Sequence, residues 1–224
     1  MKKILYIILV ILILFCVAIS NVACSINVEA PNDSTIGENN SRLPSTNSTT
    51  KNEFEGDIIA KIGEYELTEK ALKKYAFIVF IKTGKCSLTT AADEYAKAKI
   101  TLDEISGSDF DIPEGKREEL LKIERENFNR DYEDNIEICN KNGLTQEELI
   151  DIVVTSKIDI TASGNHLSMF IRNYKEDKHY SAEEWLALYD EYVLEKIQDL
   201  EFESIDKDAL SELEIAISNF NMRD

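Results

Sequence analysis

The sequence predicts a mainly α fold, a bundle of long amphipathic helices with a small β element formed by short strands near the two ends of the domain. Over most of residues 69–220, apolar side chains recur at spacings of three and four residues, the period of a helix with one buried face. Two Ser/Thr-x-x-Glu capping boxes mark helix starts in this region. Only two short runs, Ile58–Ile62 and 201–205, have the character of strands.

Residues 1–23 have the pattern of an export signal. Lys2 and Lys3 precede sixteen apolar residues at 4–19, and a short basic start followed by an apolar run is typical of a secretory signal. The alternative is an uncleaved transmembrane helix, because residues 4–28 approach the ~20 residues that span a bilayer. Both interpretations place the domain outside the cytoplasm, and an uncleaved helix would also attach it to the cell membrane.

The run Val-Ala-Cys-Ser at 22–25 resembles a bacterial lipobox. The small residue Ala23 precedes Cys24, as signal-peptidase cleavage requires, although Asn21 stands where lipoboxes usually carry leucine. We therefore predict lipid attachment at Cys24 and a lipid-anchored protein on the extracytoplasmic face of the membrane.

Residues 24–55 are expected to form a disordered linker between that anchor and the domain. From residue 25 to 55, 15 of 31 residues are Ser, Thr or Asn, a composition that cannot bury enough apolar area to fold. A flexible chain of this length would hold the domain roughly 30 Å from the membrane.

The charge of the chain restricts its partners. It has 43 acidic and 25 basic residues, a formal net charge of −18. Nucleic acids bind proteins mainly through Lys and Arg that neutralise phosphates, so a nucleic-acid partner is excluded. The same charge opposes binding to anionic lipid head groups.

The stretch 57–82 organises the predicted domain, which spans residues 56–224. Ile58–Ile62 is expected to form a strand, Gly63 a turn, and Thr68 the N-cap of a helix. This helix is apolar nearly all round, so other elements must surround it. We predict that it is the most buried helix and that the first strand pairs with 201–205, which would join the two ends of the domain.

Five more helices follow along the chain. The first is capped by the hydroxyl side chains of residues 87–90 and ends at 106–108. The second is one long helix with Pro113 at its first position and Gly143 just past its end. Three more helices are predicted over 145–174, 181–200 and 206–220. The capping boxes begin at Thr145 and Ser181. In the helix over 145–174, the predicted buried stripe is Leu149, Val153, Ser156, Ile160, Ser163, Leu167, Phe170 and Tyr174.

Ile62-Gly63-Glu64 and Leu67-Thr68 carry a resemblance to a known family. This part of the sequence resembles the start of the SurA/PrsA-type extracytoplasmic foldases, which also has a strand, a glycine turn, an apolar residue and a threonine that opens a helix. Those usually have a Val-Asn-Gly turn and an Ile-Thr pair; here the glycine is one place earlier and the asparagine is absent. The resemblance implies a SurA-N-like chaperone domain over 56–224 that binds unfolded or exported polypeptides. The parvulin domain usual in the family is missing, so no isomerase activity is expected.

The sequence contains no recognisable catalytic motif, so we predict no enzyme, no catalytic residue, no cofactor and no metal site. His166 and His179 are interpreted as ordinary, partly exposed residues. Asp103, Asp109 and Asp111 are interpreted as solvated carboxylates, because they lack a calcium-loop spacing. Cys86 and Cys139 remain open as a disulfide or as two free thiols.

Aromatic residues recur on helices that are expected to meet. The candidates for contact with a bound polypeptide are Phe77, Phe80, Phe170, Trp185 and Tyr189. The alternative is that these rings form the core, and for Phe77 we predict the core.

Two functions of different class follow from these observations. The first is a membrane-anchored chaperone, a holdase or foldase-like protein, that binds varied unfolded polypeptides through apolar surface. The second is an accessory lipoprotein that docks one specific folded protein partner. Suppression of aggregation of unrelated proteins would distinguish the two.

Overall fold

The computed structural model describes residues 56–174 and 179–220. It confirms the predicted fold class: this part of the chain contains seven helices and one small three-stranded antiparallel sheet. The strands are β1 (Ile58–Ile62), β2 (Tyr65–Thr68) and β3 (Phe202–Ser204). The helices are α1 (Glu69–Thr83), α2 (Leu88–Ile105), α3 (Lys116–Arg130), α4 (Tyr132–Asn142), α5 (Gln146–Asn173), α6 (Ala182–Ile197) and α7 (Lys207–Ser218).

The sheet joins the two ends of the domain, as the alternating runs predict. Its strand order is β2-β1-β3, with both pairs antiparallel. Ile62 lies opposite Tyr65 on one side and Phe202 on the other. Two backbone amides after β3, those of Ile205 and Asp206, donate to the carbonyl of Ile59 at 3.0 Å.

The turn between β1 and β2 requires glycine for two reasons. Gly63 has a φ of +56°, a conformation that residues with a Cβ adopt at a cost. A Cβ at this position would also lie 2.7 Å from Cδ2 of Leu200. The Gly63 amide donates to the carbonyl of Glu201 at 3.1 Å, so the same turn also holds the segment that leads into β3.

Helix α1 is the most buried of the described helices, as predicted. The Thr68 hydroxyl accepts from the Ala71 amide at 3.2 Å and caps its start. Eight of its fifteen residues are buried, against eight of eighteen in α2. The side chain of Phe77 is 0% exposed, and its ring lies 5.1 Å from the ring of Phe220 at the other end of the domain.

The predicted long helix from Pro113 to Gly143 is wrong in two places. It begins only at Lys116, because Gly115 has a φ of 81° and cannot continue a helix. It also breaks at Asp131, whose φ of −111° and ψ of 39° are not helical. At the break, the Asn135 side chain donates to the carbonyl of Phe128 at 3.1 Å, which satisfies an acceptor near the interruption.

Helix α5 is continuous across 163–165, and the Thr145–Glu148 capping box is present at its start. Its predicted buried stripe is displaced, however. From residue 155 onward, its buried positions are Thr155, Ala162 and His166, each one residue before a predicted position. Apolar side chains occur on both faces here, so the spacing alone does not determine the phase. The interpretation of His166 as partly exposed is therefore wrong, because its side chain is 1% exposed.

Two buried polar contacts connect α1 to α5. Lys74, which is 5% exposed, forms an ion pair with Asp151 and donates to the Thr155 hydroxyl at 3.2 Å. The hydroxyl of Tyr75 is hydrogen-bonded to Asp159, one helical turn further along α5. Burial of these polar and charged groups is tolerated because each has a partner.

Several expectations fall on other parts of the chain. The signal over 1–23, the linker over 24–55 and lipid attachment at Cys24 lie outside the described residues. Within 56–174 and 179–220, no helix has the length and apolar character needed to cross a membrane. Cys86 and Cys139, which the sequence left open, are both free thiols.

Candidate functional site

The candidate site lies where the end of α5 meets the start of α6. The Ser181–Glu184 capping box fixes the first turn of α6, as predicted. The spacing of Trp185, Tyr189 and Tyr192 then places three aromatic side chains on the face directed toward α5. The site has two adjoining parts, a partly buried polar network and a partly exposed group of aromatic rings.

The polar network is centred on the carboxylate of Glu104 in α2, and we call it the Glu104 network. Oε2 of Glu104 lies 2.6 Å from His166 Nε2 and accepts from the Tyr192 hydroxyl at 2.8 Å. Oε1 accepts from the ammonium group of Lys196. His166 Nδ1 lies 3.0 Å from the hydroxyl of Tyr189. Five side chains from three helices, Glu104, His166, Tyr189, Tyr192 and Lys196, are thus joined around one carboxylate.

The network keeps its central carboxylate charged. Burial raises the pKa of Glu104, but hydrogen bonds from Lys196, Tyr192 and His166 lower it by more, so the pKa lies below its ordinary value. The hydrogen bond to Glu104 also raises the pKa of Lys196. Burial raises the pKa of Tyr189 as well. At neutral pH the pair Glu104–Lys196 is therefore an ion pair.

The second part is a group of half-buried rings, which we call the aromatic surface: Phe170, Tyr174, Tyr180 and Trp185. Trp185 lies 5.2 Å from Tyr174, 4.8 Å from Tyr180 and 6.3 Å from Phe170, measured between ring centroids. Phe170 also lies 5.9 Å from Tyr189, which connects the aromatic surface to the Glu104 network. Such ring pairs stabilise each other beyond the area they bury.

The structure divides the predicted contact residues into two groups. Phe170, Trp185 and Tyr189 come together at this site, while Phe77 and Phe80 lie 6.2 Å apart in a separate cluster with Phe220. Phe77 is 0% exposed and Tyr189 is 5% exposed, so both are core residues in this conformation. Phe80, Phe170 and Trp185 are half-buried and remain available for contact with a partner.

The other sequence candidates have separate structural partners. Asp103 contacts the Tyr65 hydroxyl at 3.5 Å, Asp109 pairs with Arg172 at 3.4 Å, and Asp111 accepts from the Gly107 amide at 2.7 Å. In the part of the chain that the structure describes, no group of three or more His, Cys, Asp or Glu side chains could hold a metal ion. His179 is exposed.

Sequence reasoning missed Glu104 as the centre of the network. One signal was present: Lys196 falls in register with Tyr189 and Tyr192, and a cation on an otherwise aromatic face that packs on the domain indicates a nearby counter-charge. Nothing in the spacing indicates which acidic residue supplies it, because Glu104 lies on a different helix, 92 residues away.

Comparison with known proteins gave no match. No protein-family model, no curated protein and no solved structure matches this chain. The resemblance to the SurA/PrsA-type foldases therefore stays a prediction from the sequence.

Proposed function

We propose that this protein is a membrane-anchored extracytoplasmic lipoprotein whose helical domain binds unfolded or exported polypeptides, without isomerase activity. The observation that carries the binding role is the aromatic surface. Four rings that contact one another remain half-buried at the junction of α5 and α6 instead of entering the core. Apolar surface of this kind attracts varied sequences because the hydrophobic effect is not directional.

The anchor in this proposal rests on the sequence before the domain. Ala23 and Cys24 follow an apolar run of export-signal type, and a linker rich in Ser, Thr and Asn comes after them. One acyl chain binds membranes only marginally, so stable attachment would need two or more chains on Cys24.

The experiment uses the full-length chain extracted from membranes. Mass spectrometry should give a lipid-modified peptide that begins at Cys24; an unmodified thiol on a chain that keeps residues 4–19 would contradict the anchor. The same protein, placed in lipid nanodiscs, should suppress aggregation of two unrelated chemically denatured proteins. Trp185→Ala should remove at least half of that suppression, because the largest ring of the aromatic surface is lost.

Tyr132→Ala is the matched control. Tyr132 is an aromatic residue on α4 with 51% of its surface exposed, and it lies outside the aromatic surface. Its removal should leave aggregation suppression unchanged. No suppression by the unaltered protein would contradict chaperone function and favour docking to one folded partner. Equal loss in both variants, with helix content unchanged by circular dichroism, would show that the aromatic surface is not the binding site.

A further inference from the structure

Helix α6 places a line of exposed carboxylates beside the aromatic surface. Glu184, Glu191 and Glu195 are spaced by seven and four residues, so they lie on one side of the helix. That side adjoins the one that carries Trp185 and Tyr192, because Glu195 follows Tyr192 by three residues. All three carboxylates are exposed.

These carboxylates have little compensating charge on their own helix. Helix α6 contains five acidic residues and one basic residue, Lys196, which is engaged with Glu104. Within residues 56–174 and 179–220, no Lys or Arg forms an ion pair with Glu191 or Glu195. The side of α6 next to the aromatic surface is therefore negative and open to solvent.

Two cations of the chain itself show how this end of the molecule binds positive charge. The guanidinium of Arg172 lies 4.3 Å from the centroid of Phe110, and Asp109 pairs with it at 3.4 Å. The Nζ atom of Lys196 lies 4.8 Å from the centroid of Tyr192 and pairs with Glu104. In both cases a ring face and a carboxylate hold one cation between them.

Helix α6 offers the same two kinds of group, the ring of Trp185 and exposed carboxylates, and no Lys or Arg of the described residues lies over that ring or pairs with Glu191 or Glu195. Trp is the aromatic side chain that attracts cations most strongly. Here its ring is half-buried against Tyr174 and Phe170, and the exposed Glu191 and Glu195 follow six and ten residues further along the adjoining side of the same helix. The apolar part of a segment bound here would cover the rings, and its cations would meet the carboxylates.

We propose that the aromatic surface selects polypeptide segments in which Lys or Arg is interspersed with apolar residues. The apolar side chains contact Phe170, Tyr174 and Trp185, and the cations bind at Glu191 and Glu195. This inference rests on the proposed function and specifies, in addition, that the bound segment carries positive charge. The net charge of −18 supports it, since a negative protein attracts cationic segments from a distance.

The chain contains a built-in reporter for the test, because Trp185 is its only tryptophan. Full-length protein in uncharged detergent is titrated with three peptides of equal length that lack Trp and Tyr. The peptides share the same Leu and Phe positions and carry Lys, Gln or Glu at the remaining ones. We expect the Lys peptide to change Trp185 fluorescence with a Kd about tenfold below that of the Gln peptide. The Glu peptide should bind more weakly than either.

A double variant tests the carboxylates directly. Glu191→Gln with Glu195→Gln should weaken binding of the Lys peptide about three- to tenfold and leave the Gln peptide unaffected, as expected for two exposed ion pairs. The control, Glu212→Gln with Glu214→Gln, changes net charge equally at exposed positions of α7 and should leave both peptides unaffected. Raising the salt concentration should bring the two peptides' affinities together.

The outcomes separate this inference from the proposed function. Equal affinity for the Lys and Gln peptides, or equal weakening by both double variants, would overturn charge selection and leave polypeptide binding intact. If no peptide changes Trp185 fluorescence at any concentration up to millimolar, both proposals fall.

Discussion

Helices α1 and α6 are of similar length but are held in the domain by different forces. In α1, eight of fifteen residues are buried, and most of these are apolar. In α6, only Tyr189 and Val193 of sixteen residues are buried. Polar bonds compensate in α6, where Tyr189, Tyr192 and Lys196 all connect to the Glu104 network.

The difference indicates where stability resides and where function is possible. Apolar burial is the dominant favourable contribution to folding, so α1 contributes most to the free energy of unfolding. Helix α6 buries little and has one face open to solvent, which is expected of a low-stability element that binds a partner. Changes in α1 should therefore unfold the whole domain, whereas changes at the Glu104 network should loosen α6 alone.

The largest expected effect comes from Phe77→Ala. The side chain is 0% exposed and packs against Phe80 and Phe220, so its removal leaves a large cavity. We expect the free energy of unfolding to fall by ~3–5 kcal/mol. Denaturant unfolding measures this change.

Leu194→Ala on α6 is the control, and because that side chain is 56% exposed it should have almost no effect. An unchanged melting temperature for Phe77→Ala would mean that this ring lines an open surface instead of the core.

An intermediate effect is expected from Glu104→Gln. The amide of the variant keeps one acceptor oxygen, but it presents an NH₂ group to side chains that donated to the carboxylate. Hydrogen bonds to charged groups contribute roughly 1.5–3 kcal/mol each. Because Glu104 is partly exposed, we expect a total loss of about 2 kcal/mol. Hydrogen exchange should become faster within Ala182–Ile197 and stay unchanged in α1.

Glu195→Gln provides the control for that experiment, since it makes the same chemical change on the exposed side of α6. It should leave exchange in α6 unaltered. Uniformly faster exchange across both helices in Glu104→Gln would contradict the comparison, because it would mean that the network supports the whole domain.

Local signals in the sequence were sufficient for much of this architecture. The caps at Thr68, Thr145 and Ser181 depend on residues within one turn, and all three are present. The pairing of β1 with 201–205 was also predictable, because few other segments have strand character. Fold class and helix starts of this kind follow from spacing and capping chemistry.

What the sequence did not predict depends on contacts between distant residues or on backbone geometry. The break at Asp131 is not visible in a helical spacing that continues across it. The burial of His166 depends on Glu104 and Tyr189, which lie 62 and 23 residues away along the chain. Half of the aromatic surface was predicted by residue type, and the core position of Phe77 was predicted as well. The burial of Tyr189 was not, since burial depends on the packing of whole helices.

The smallest expected effect concerns Asp159, a carboxyl group on α5 that faces α1. Burial raises the pKa of Asp159 from 3.8 to about 7. The hydrogen bond from Tyr75 and the positive charges of Lys82 and Lys74 oppose this rise. The negative charge of Glu94 on α2 adds to it. The folded domain therefore binds a proton between pH 4 and 7 that the unfolded chain has lost. This contribution to stability is complete below about pH 4 and disappears as the pH rises through about 7.

Asp159→Asn should remove this pH dependence, because the amide carries no charge and its oxygen can still accept from Tyr75. The rise of the pKa from 3.8 to about 7 corresponds to roughly 4 kcal/mol when complete, but Asp159 is only half-buried, so we expect a smaller effect. The variant should match the unaltered protein near pH 4 and exceed its free energy of unfolding by about 1–2 kcal/mol near pH 8. Asp190→Asn, an exposed residue of α6, is the control and should give no pH-dependent difference.

Carboxylates with a lowered pKa, such as Glu104, lose their stabilising contribution as the pH falls, so only the difference between variant and unaltered protein isolates Asp159. A difference that stays constant from pH 5 to 8 would mean that Asp159 is already charged at pH 5, and the contact between α1 and α5 would then be an ordinary exposed one.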